Sequence, residues 1–184
     1  MVQKIIIQFC MKDLKQYMTE GFKLGKDYKK PFNYYPTRTS ELKDIIEDLI
    51  FERGNEADLN DICTSQITDM SELFSESQFN GDISKWDVSN VTTMEYMFER
   101  CAFDGDISQW NVKNVENFHK MFYLSMFNGD ISEWDVSNAR DMSLMFYKSN
   151  FSGDLSKWNV DCSFMPNMFK ESPLEGKEPE WYEE

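Results

Sequence analysis

The chain has 184 residues and a formal net charge of −14, with 33 Asp and Glu residues against 19 Lys and Arg. This length favours one domain, and 41% apolar residues suffice for a packed core, which argues against wholesale disorder. The acidic balance argues against binding nucleic acid through phosphates, which needs clustered Lys and Arg. No apolar run approaches the roughly 18 residues of a membrane span, and the first residues lack a secretory pattern, so the sequence predicts a cytoplasmic protein.

The first 54 residues are predicted to form an α+β capping segment, with a strand at residues 4–9 and a helix beginning at Met11. A second helix is predicted between Thr39, which with the next residue can cap it, and Gly54, which ends it. Its apolar stripe consists of Leu42, Ile45, Ile46, Leu49 and Ile50. We expect this stripe to cover the open end of the region that follows.

A 24-residue repeat is the strongest feature of the chain. Columns led by Phe79, Gly81, Asp82 and Trp86 recur at this spacing, and a fixed period of 20–50 residues indicates a solenoid or a similar array. The Phe and Trp columns are expected to form its core. About five units are expected, beginning near residues 55, 79, 103, 127 and 151. The predicted domains are therefore a cap at 1–54, an array at 55–174 and an acidic tail at 175–184.

Each unit is predicted to contain a turn, a short strand and a short helix. In the second unit, residues 85–89 indicate the strand, and Met94, Met97 and Phe98 lie at helical spacing. The predicted fold class is therefore an α/β solenoid, a short leucine-rich-repeat-like array with an N-terminal α+β cap. Strands stack about 4.8 Å apart, whereas packed helices need about 10 Å, so the strand side should be concave.

Two segments carry a resemblance to a known family. Residues 79–91 (FNGDISKWDVSNV) and 127–138 (FNGDISEWDVSN) closely resemble the BspA-type surface-protein repeat (DUF285), a divergent member of the leucine-rich-repeat group. The resemblance covers residues 55–170. It implies binding and adhesion rather than catalysis, and the resembled proteins are often exposed on cell surfaces.

The sequence predicts no enzyme, cofactor or metal site. The single histidine, His119, falls in a polar column and is expected to be solvated. Asp82 and its equivalents are expected to cap turns rather than to hold Ca²⁺. Asn90 and its equivalents are expected to bond backbone groups between coils. The four cysteines form no CxxC pair, which indicates free thiols in a reducing compartment.

The outward positions of the predicted strands vary in charge from unit to unit, although packing does not require that variety. We therefore expect a non-catalytic protein–protein interaction module that binds another protein through the concave strand face. The expected partner-binding residues are Lys85, Asp87, Gln109, Asn111, Lys113, Glu133, Asp135, Lys157 and Asn159.

Two alternative functions stay open. One is an acidic nucleic-acid mimic that inhibits a DNA- or RNA-handling enzyme, since the array is strongly negative. The other is a structural component of a virion or surface assembly. No membrane partner and no nucleic acid bound through a basic patch is expected.

Overall fold

The computed structural model describes residues 32–161 and 164–182. This part of the chain contains one helix, α1 (Thr39–Arg53), and no strand. Isolated parallel bridges join residues 24 apart, from Asp69 to Thr93, Asn117 and Asp141. The strand predicted at 4–9 and the helix predicted from Met11 lie outside the described residues. No helix within the described ranges is long and apolar enough to cross a membrane.

The predicted α/β solenoid is wrong, because the described residues form neither the short strand nor the short helix of each unit. In the second unit the Met97 amide donates to the Met94 carbonyl at 3.1 Å and closes a turn. The neighbouring Tyr96 amide instead donates to the carbonyl of His119 in the next unit, at 3.0 Å. Amides alternate in this way between turns and the next unit in segments 70–77, 94–101, 118–125 and 142–149.

The thickness of a unit explains why no helix forms there. The rings of Phe74 and Phe98 have centroids 5.5 Å apart, and those of Phe79 and Phe103 are 6.1 Å apart. Packed helices lie 8–10 Å apart, so units stacked this closely have no room for one. The predicted concave strand face is also wrong, because it requires strands on one side and helices on the other, and the described units form neither.

Left-handed backbone conformations let the chain make these consecutive turns. Tyr96 has φ 56° and Arg100 has φ 48°, a region that non-glycine residues rarely adopt. The same two positions are left-handed in each turn segment, namely at Glu72, Glu76, Tyr96, Arg100, Lys120, Leu124, Leu144, Lys148, Asn167 and Glu171. None of these residues is a glycine, so composition does not reveal the turns.

The core consists of stacked columns of aromatic and aliphatic side chains. Trp110 and Trp134 are 4% and 3% exposed, which confirms their predicted burial. The indole of Trp110 stacks on that of Trp86, with centroids 6.5 Å apart, and its N–H donates to the Ile83 carbonyl at 3.2 Å. Each Trp of the repeat thus satisfies its polar atom on the preceding unit, as burial requires.

Helix α1 packs on the first unit, as predicted. Leu42, Ile46 and Leu49 are buried in the same core as the repeats, with Ile45 and Ile50 partly buried against it. The helix ends as expected at Gly54, which has φ 86° and donates its amide to Ile50 at 2.8 Å. A helix with a buried apolar face at this position closes the first edge of the stack.

The predicted side-chain capping of α1 is wrong. Arg38 is the N-cap residue and makes no side-chain capping bond. Thr39 instead donates its hydroxyl to the Asp69 carbonyl of the first unit, at 2.7 Å. At the other end, Arg53 forms two hydrogen bonds with the Asp61 carboxylate, at 3.0 and 3.1 Å. These contacts fix both ends of α1 on the first unit.

Candidate functional site

Three neighbouring outward columns, here called the polar face, contain all the residues predicted to bind a partner. The columns hold, in order, Lys85, Gln109, Glu133 and Lys157; Asp87, Asn111, Asp135 and Asn159; and Lys113. Asp87 is half-buried and the others are exposed. The predicted residues therefore share one accessible surface, although it is made of turns rather than strands.

Ion pairs connect neighbouring units across the polar face. Lys113 Nζ lies 3.4 Å from Asp135 Oδ2, and Lys157 contacts the Glu133 carboxylate. The hydrogen bond to Glu133 raises the pKa of Lys157. All four side chains are largely exposed, and exposed ion pairs contribute little to stability. A partner can therefore displace either pair at little cost to folding.

The carboxylates of the second column have a structural role of their own. Asp135 Oδ1 accepts hydrogen bonds from the Ser137 hydroxyl at 2.6 Å and the Ser137 amide at 3.2 Å. These bonds are the main cause of the lowered pKa of Asp135. Asp87 makes the same bonds to Ser89. One oxygen of each carboxylate is therefore occupied, which leaves the first column as the freer part of the polar face.

The Asp and Asn columns of the repeat act on the backbone, as predicted. Asp82 Oδ1 accepts the Ser84 amide at 2.9 Å, and Asn90 Nδ2 donates to the Ser65 carbonyl of the preceding unit at 2.7 Å. The equivalent residues repeat these bonds. No group of three His, Cys, Asp or Glu side chains suited to a metal ion occurs within the described ranges.

His119 is less solvated than predicted, since only 20% of its side chain is exposed. Its Nε2 lies 3.2 Å from the Tyr96 hydroxyl and its Nδ1 lies 2.6 Å from Ser143 Oγ. Ser143 in turn donates to Asp141 Oδ1 at 2.5 Å. A serine nucleophile needs the histidine as its base and the carboxylate behind the histidine. Here the Asp141 carboxylate accepts the hydrogen bond from Ser143. This series of hydrogen bonds therefore joins three units without forming a catalytic relay.

The two cysteines within the described residues, Cys63 and Cys101, are both buried. Burial raises the pKa of Cys101 to about 11, and a thiol needs its ionised form to react. Cys10 and Cys162 lie outside the described residues.

A second surface, here called the tyrosine strip, consists of Tyr96, Lys120, Tyr123, Tyr147 and Lys148. Lys120 Nζ lies 5.0 Å from the ring centroid of Tyr96 and 5.3 Å from that of Tyr123. The Tyr123 and Tyr147 rings stack with centroids 5.1 Å apart. The strip runs across successive units and shares no residue with the polar face. We did not predict it, although Tyr123 and Tyr147 are visibly 24 residues apart in the sequence.

Comparison with known protein families identifies a match over most of the chain. The model of the family described as Mycoplasma protein of unknown function, DUF285, matches residues 41–158 and 123–175. These ranges contain α1 from Glu41 onwards and nearly all of the repeat units, and they confirm the resemblance found in the sequence. No curated protein and no solved structure matches the chain.

Proposed function

The chain belongs to the DUF285 family, and we propose that it is a non-catalytic module that binds another protein through the polar face. The observation that supports this proposal is the contrast between inward and outward columns. Phe79, Phe103, Phe127 and Phe151 are identical and fully buried. Lys85, Gln109, Glu133 and Lys157, one column of the polar face, include both charges and a neutral amide. Stacking requires identical residues in the buried column, whereas a shaped partner accounts for the variety in the exposed column.

The centre of the polar face is the favoured contact region. Gln109, Asn111 and Glu133 lie in the middle units and are exposed. Binding energy is usually concentrated in a few central residues, surrounded by contacts that exclude water. Within the described residues, the side-chain amide of Gln109 donates only to the hydroxyl of its neighbour Ser108, at 3.3 Å. It can therefore exchange that hydrogen bond for one to a partner.

The test begins with capture of the partner from the native host and its identification by mass spectrometry. The affinity of the purified pair is then measured for Glu133→Lys and for the control Glu76→Lys. Both glutamates are exposed and form an ion pair with a cation in the next unit, Lys157 and Arg100 respectively. We expect at least an about tenfold loss, or 1.4 kcal/mol, for the first and less than about twofold for the second. Equal losses of affinity for Glu133→Lys and Glu76→Lys would exclude the polar face as the binding surface.

The same experiment separates the two alternative functions. A DNA- or RNA-handling enzyme whose affinity falls steeply with salt would indicate mimicry of a nucleic acid. Self-association of the purified chain, with no other partner, would indicate a structural component of an assembly.

Glu133→Lys retains the Asp135 turn, so a loss of binding with unchanged thermal unfolding reports on the surface and not on the fold.

A further inference from the structure

We propose that the tyrosine strip is a second docking surface, which binds a glutamate- or aspartate-containing segment of a partner protein at Lys120. The inference rests on the proposed function in that the occupant is a protein, but it places that protein on different residues. The strip combines a cation without a carboxylate, a bound carboxylate in the neighbouring unit and a stacked aromatic surface between them.

Lys120 differs from most other cations of the described chain. Arg53, Arg100, Lys113, Lys148 and Lys157 each have a carboxylate oxygen within hydrogen-bonding or ion-pair distance. Lys120 has none within 4.0 Å among the described residues, although the chain carries 33 Asp and Glu. Its ammonium group lies between the Tyr96 and Tyr123 rings, which hold it by cation–π attraction. A cation already held in place loses less side-chain entropy on binding an anion.

The neighbouring unit shows how such a pair binds a carboxylate. Lys148 Nζ lies 5.3 Å from the Tyr147 ring centroid, in the same kind of contact. Glu171 Oε1 accepts a hydrogen bond from the Tyr147 hydroxyl at 2.9 Å, and its Oε2 lies 3.1 Å from Lys148 Nζ. Both carboxylate oxygens are therefore bound by one tyrosine–lysine pair. The hydrogen bond from Tyr147 is the main cause of the lowered pKa of Glu171.

The Tyr123–Lys120 pair offers the same two groups without a carboxylate, in a different arrangement, because Lys120 lies three residues before Tyr123 whereas Lys148 directly follows Tyr147. The Tyr123 ring is nearly parallel to that of Tyr147, with 8° between the ring planes. The Tyr123 hydroxyl has no hydrogen-bond partner among residues 32–161 and 164–182. A carboxylate from outside can accept from Tyr123 and pair with Lys120.

A peptide fits this surface better than a nucleic acid. One unpaired lysine among glutamates can pair with one or two carboxylates, whereas a phosphate chain needs several adjacent cations. The stacked Tyr123 and Tyr147 rings provide an apolar surface for the flanking residues of a peptide. Aromatic residues of this kind are enriched at protein interfaces because they present a large area with few rotatable bonds.

The probe is a fluorescein-labelled twelve-residue peptide of alternating glutamate and alanine, with a glutamine–alanine peptide of equal length as its control. We expect fluorescence anisotropy to show at least about tenfold tighter binding of the glutamate peptide to the full chain. Lys120→Gln should remove this preference, and Tyr123→Phe, which deletes only the hydroxyl, should weaken it about threefold to fivefold. These sizes correspond to the loss of one charge-assisted pair and one hydrogen bond.

Lys177→Gln is the matched control, because Lys177 is an exposed lysine outside both surfaces with no carboxylate within 4.0 Å among the described residues. Its loss should change the affinity less than about twofold. Equal effects of Lys177→Gln and Lys120→Gln, or no preference for the glutamate peptide, would overturn the inference. If Glu133→Lys weakens the native partner while the peptide experiment fails, the proposed function stands and only the tyrosine strip is excluded.

Discussion

Trp181 stacks on Trp158, with ring centroids 6.1 Å apart and 18° between the planes. Its indole N–H donates to the Leu155 carbonyl at 2.7 Å, just as that of Trp158 donates to Ile131 at 2.9 Å. Trp181 therefore extends the Trp column by one more member. Residues near the C-terminus cover the last unit, while α1 covers the first. Both ends of the stack are thus closed within the described residues, which limits edge-to-edge association.

Replacing Trp181 with Ala should lower the free energy of unfolding by about 2–3 kcal/mol. This is below the about 3–5 kcal/mol of a fully buried Trp, because Trp181 is half-buried. Trp181→Phe keeps a ring in the column but removes the hydrogen bond to Leu155, so its cost should be about 1 kcal/mol. Urea unfolding followed by circular dichroism measures both. An unchanged midpoint for Trp181→Ala would show that these C-terminal residues do not cap the stack.

Gly81→Ala should destabilise the fold far more than Gly153→Ala. A Cβ at Gly81 would lie 2.0 Å from the Ala57 carbonyl oxygen and 2.8 Å from the Ala57 nitrogen, and backbone atoms cannot rotate away. A Cβ at Gly153 would meet only the Phe151 ring, at 2.7 Å, which can shift. We expect a loss of about 3 kcal/mol or more at Gly81 and about 1 kcal/mol at Gly153. Thermal unfolding of the two variants tests this prediction. Equal losses of stability would contradict the close stacking of the first two units.

Leu144→Asn should stabilise the protein by about 0.5–1 kcal/mol. Leu144 has φ 58°, a conformation that costs most L-residues roughly 1–2 kcal/mol and that Asn tolerates better. Asn167 occupies the equivalent position in the last unit with φ 56°. The Leu144 side chain is not among those packed on the core, so little burial is lost. A gain of this size raises Tm by roughly 1–4 °C.

Leu144→Val is the control for that prediction, because a β-branched residue is the least compatible with this conformation. It should lower Tm while Leu144→Asn raises it. A fall for both variants would mean that Leu144 contributes packing that outweighs its backbone strain.

The period, the inward columns and the bounds of α1 follow from the sequence, because apolar spacing determines which side chains are buried. The secondary structure of the units does not. Met94, Met97 and Phe98 have the spacing of a helical turn, but two overlapping turns that alternate their hydrogen bonds with the next unit produce the same inward pattern. Only the thickness of the stack distinguishes the two arrangements, and thickness depends on contacts between units that local spacing does not contain.

Parts of the candidate surfaces were predictable for the same reason. The polar face follows from outward positions that alternate with buried ones. The tyrosine strip depends on left-handed turns at Tyr96 and Lys120, which carry no glycine to mark them. His119 was placed in solvent because its column is polar, whereas Tyr96 and Ser143 of the adjoining units partly enclose it. Contacts made between units, rather than within one, are what the sequence pattern missed.

The turn aspartates should make the fold sensitive to acid. Hydrogen bonds from the Ser84, Ser132 and Ser156 amides lower the pKa values of Asp82, Asp130 and Asp154. The unfolded carboxyls keep the ordinary value of about 3.9, so these groups stabilise the fold above about pH 4. That contribution is lost as the pH falls below about 4 and through the lowered folded pKa values. Asn keeps the acceptor oxygen without titrating, as Asn111 does towards the Lys113 amide.

The triple variant Asp82→Asn, Asp130→Asn and Asp154→Asn should therefore lose less Tm than the parent protein between pH 5 and pH 3. Neutralising carboxylates also relieves repulsion in a chain of net charge −14, and that effect must be separated. The matched control neutralises Asp44, Glu47 and Asp48 on the exposed side of α1, where no turn amide is bonded within the described residues. It removes the same number of charges but should leave the acid sensitivity close to that of the parent. If both triple variants flatten the pH profile equally, net charge rather than the turn hydrogen bonds governs acid unfolding.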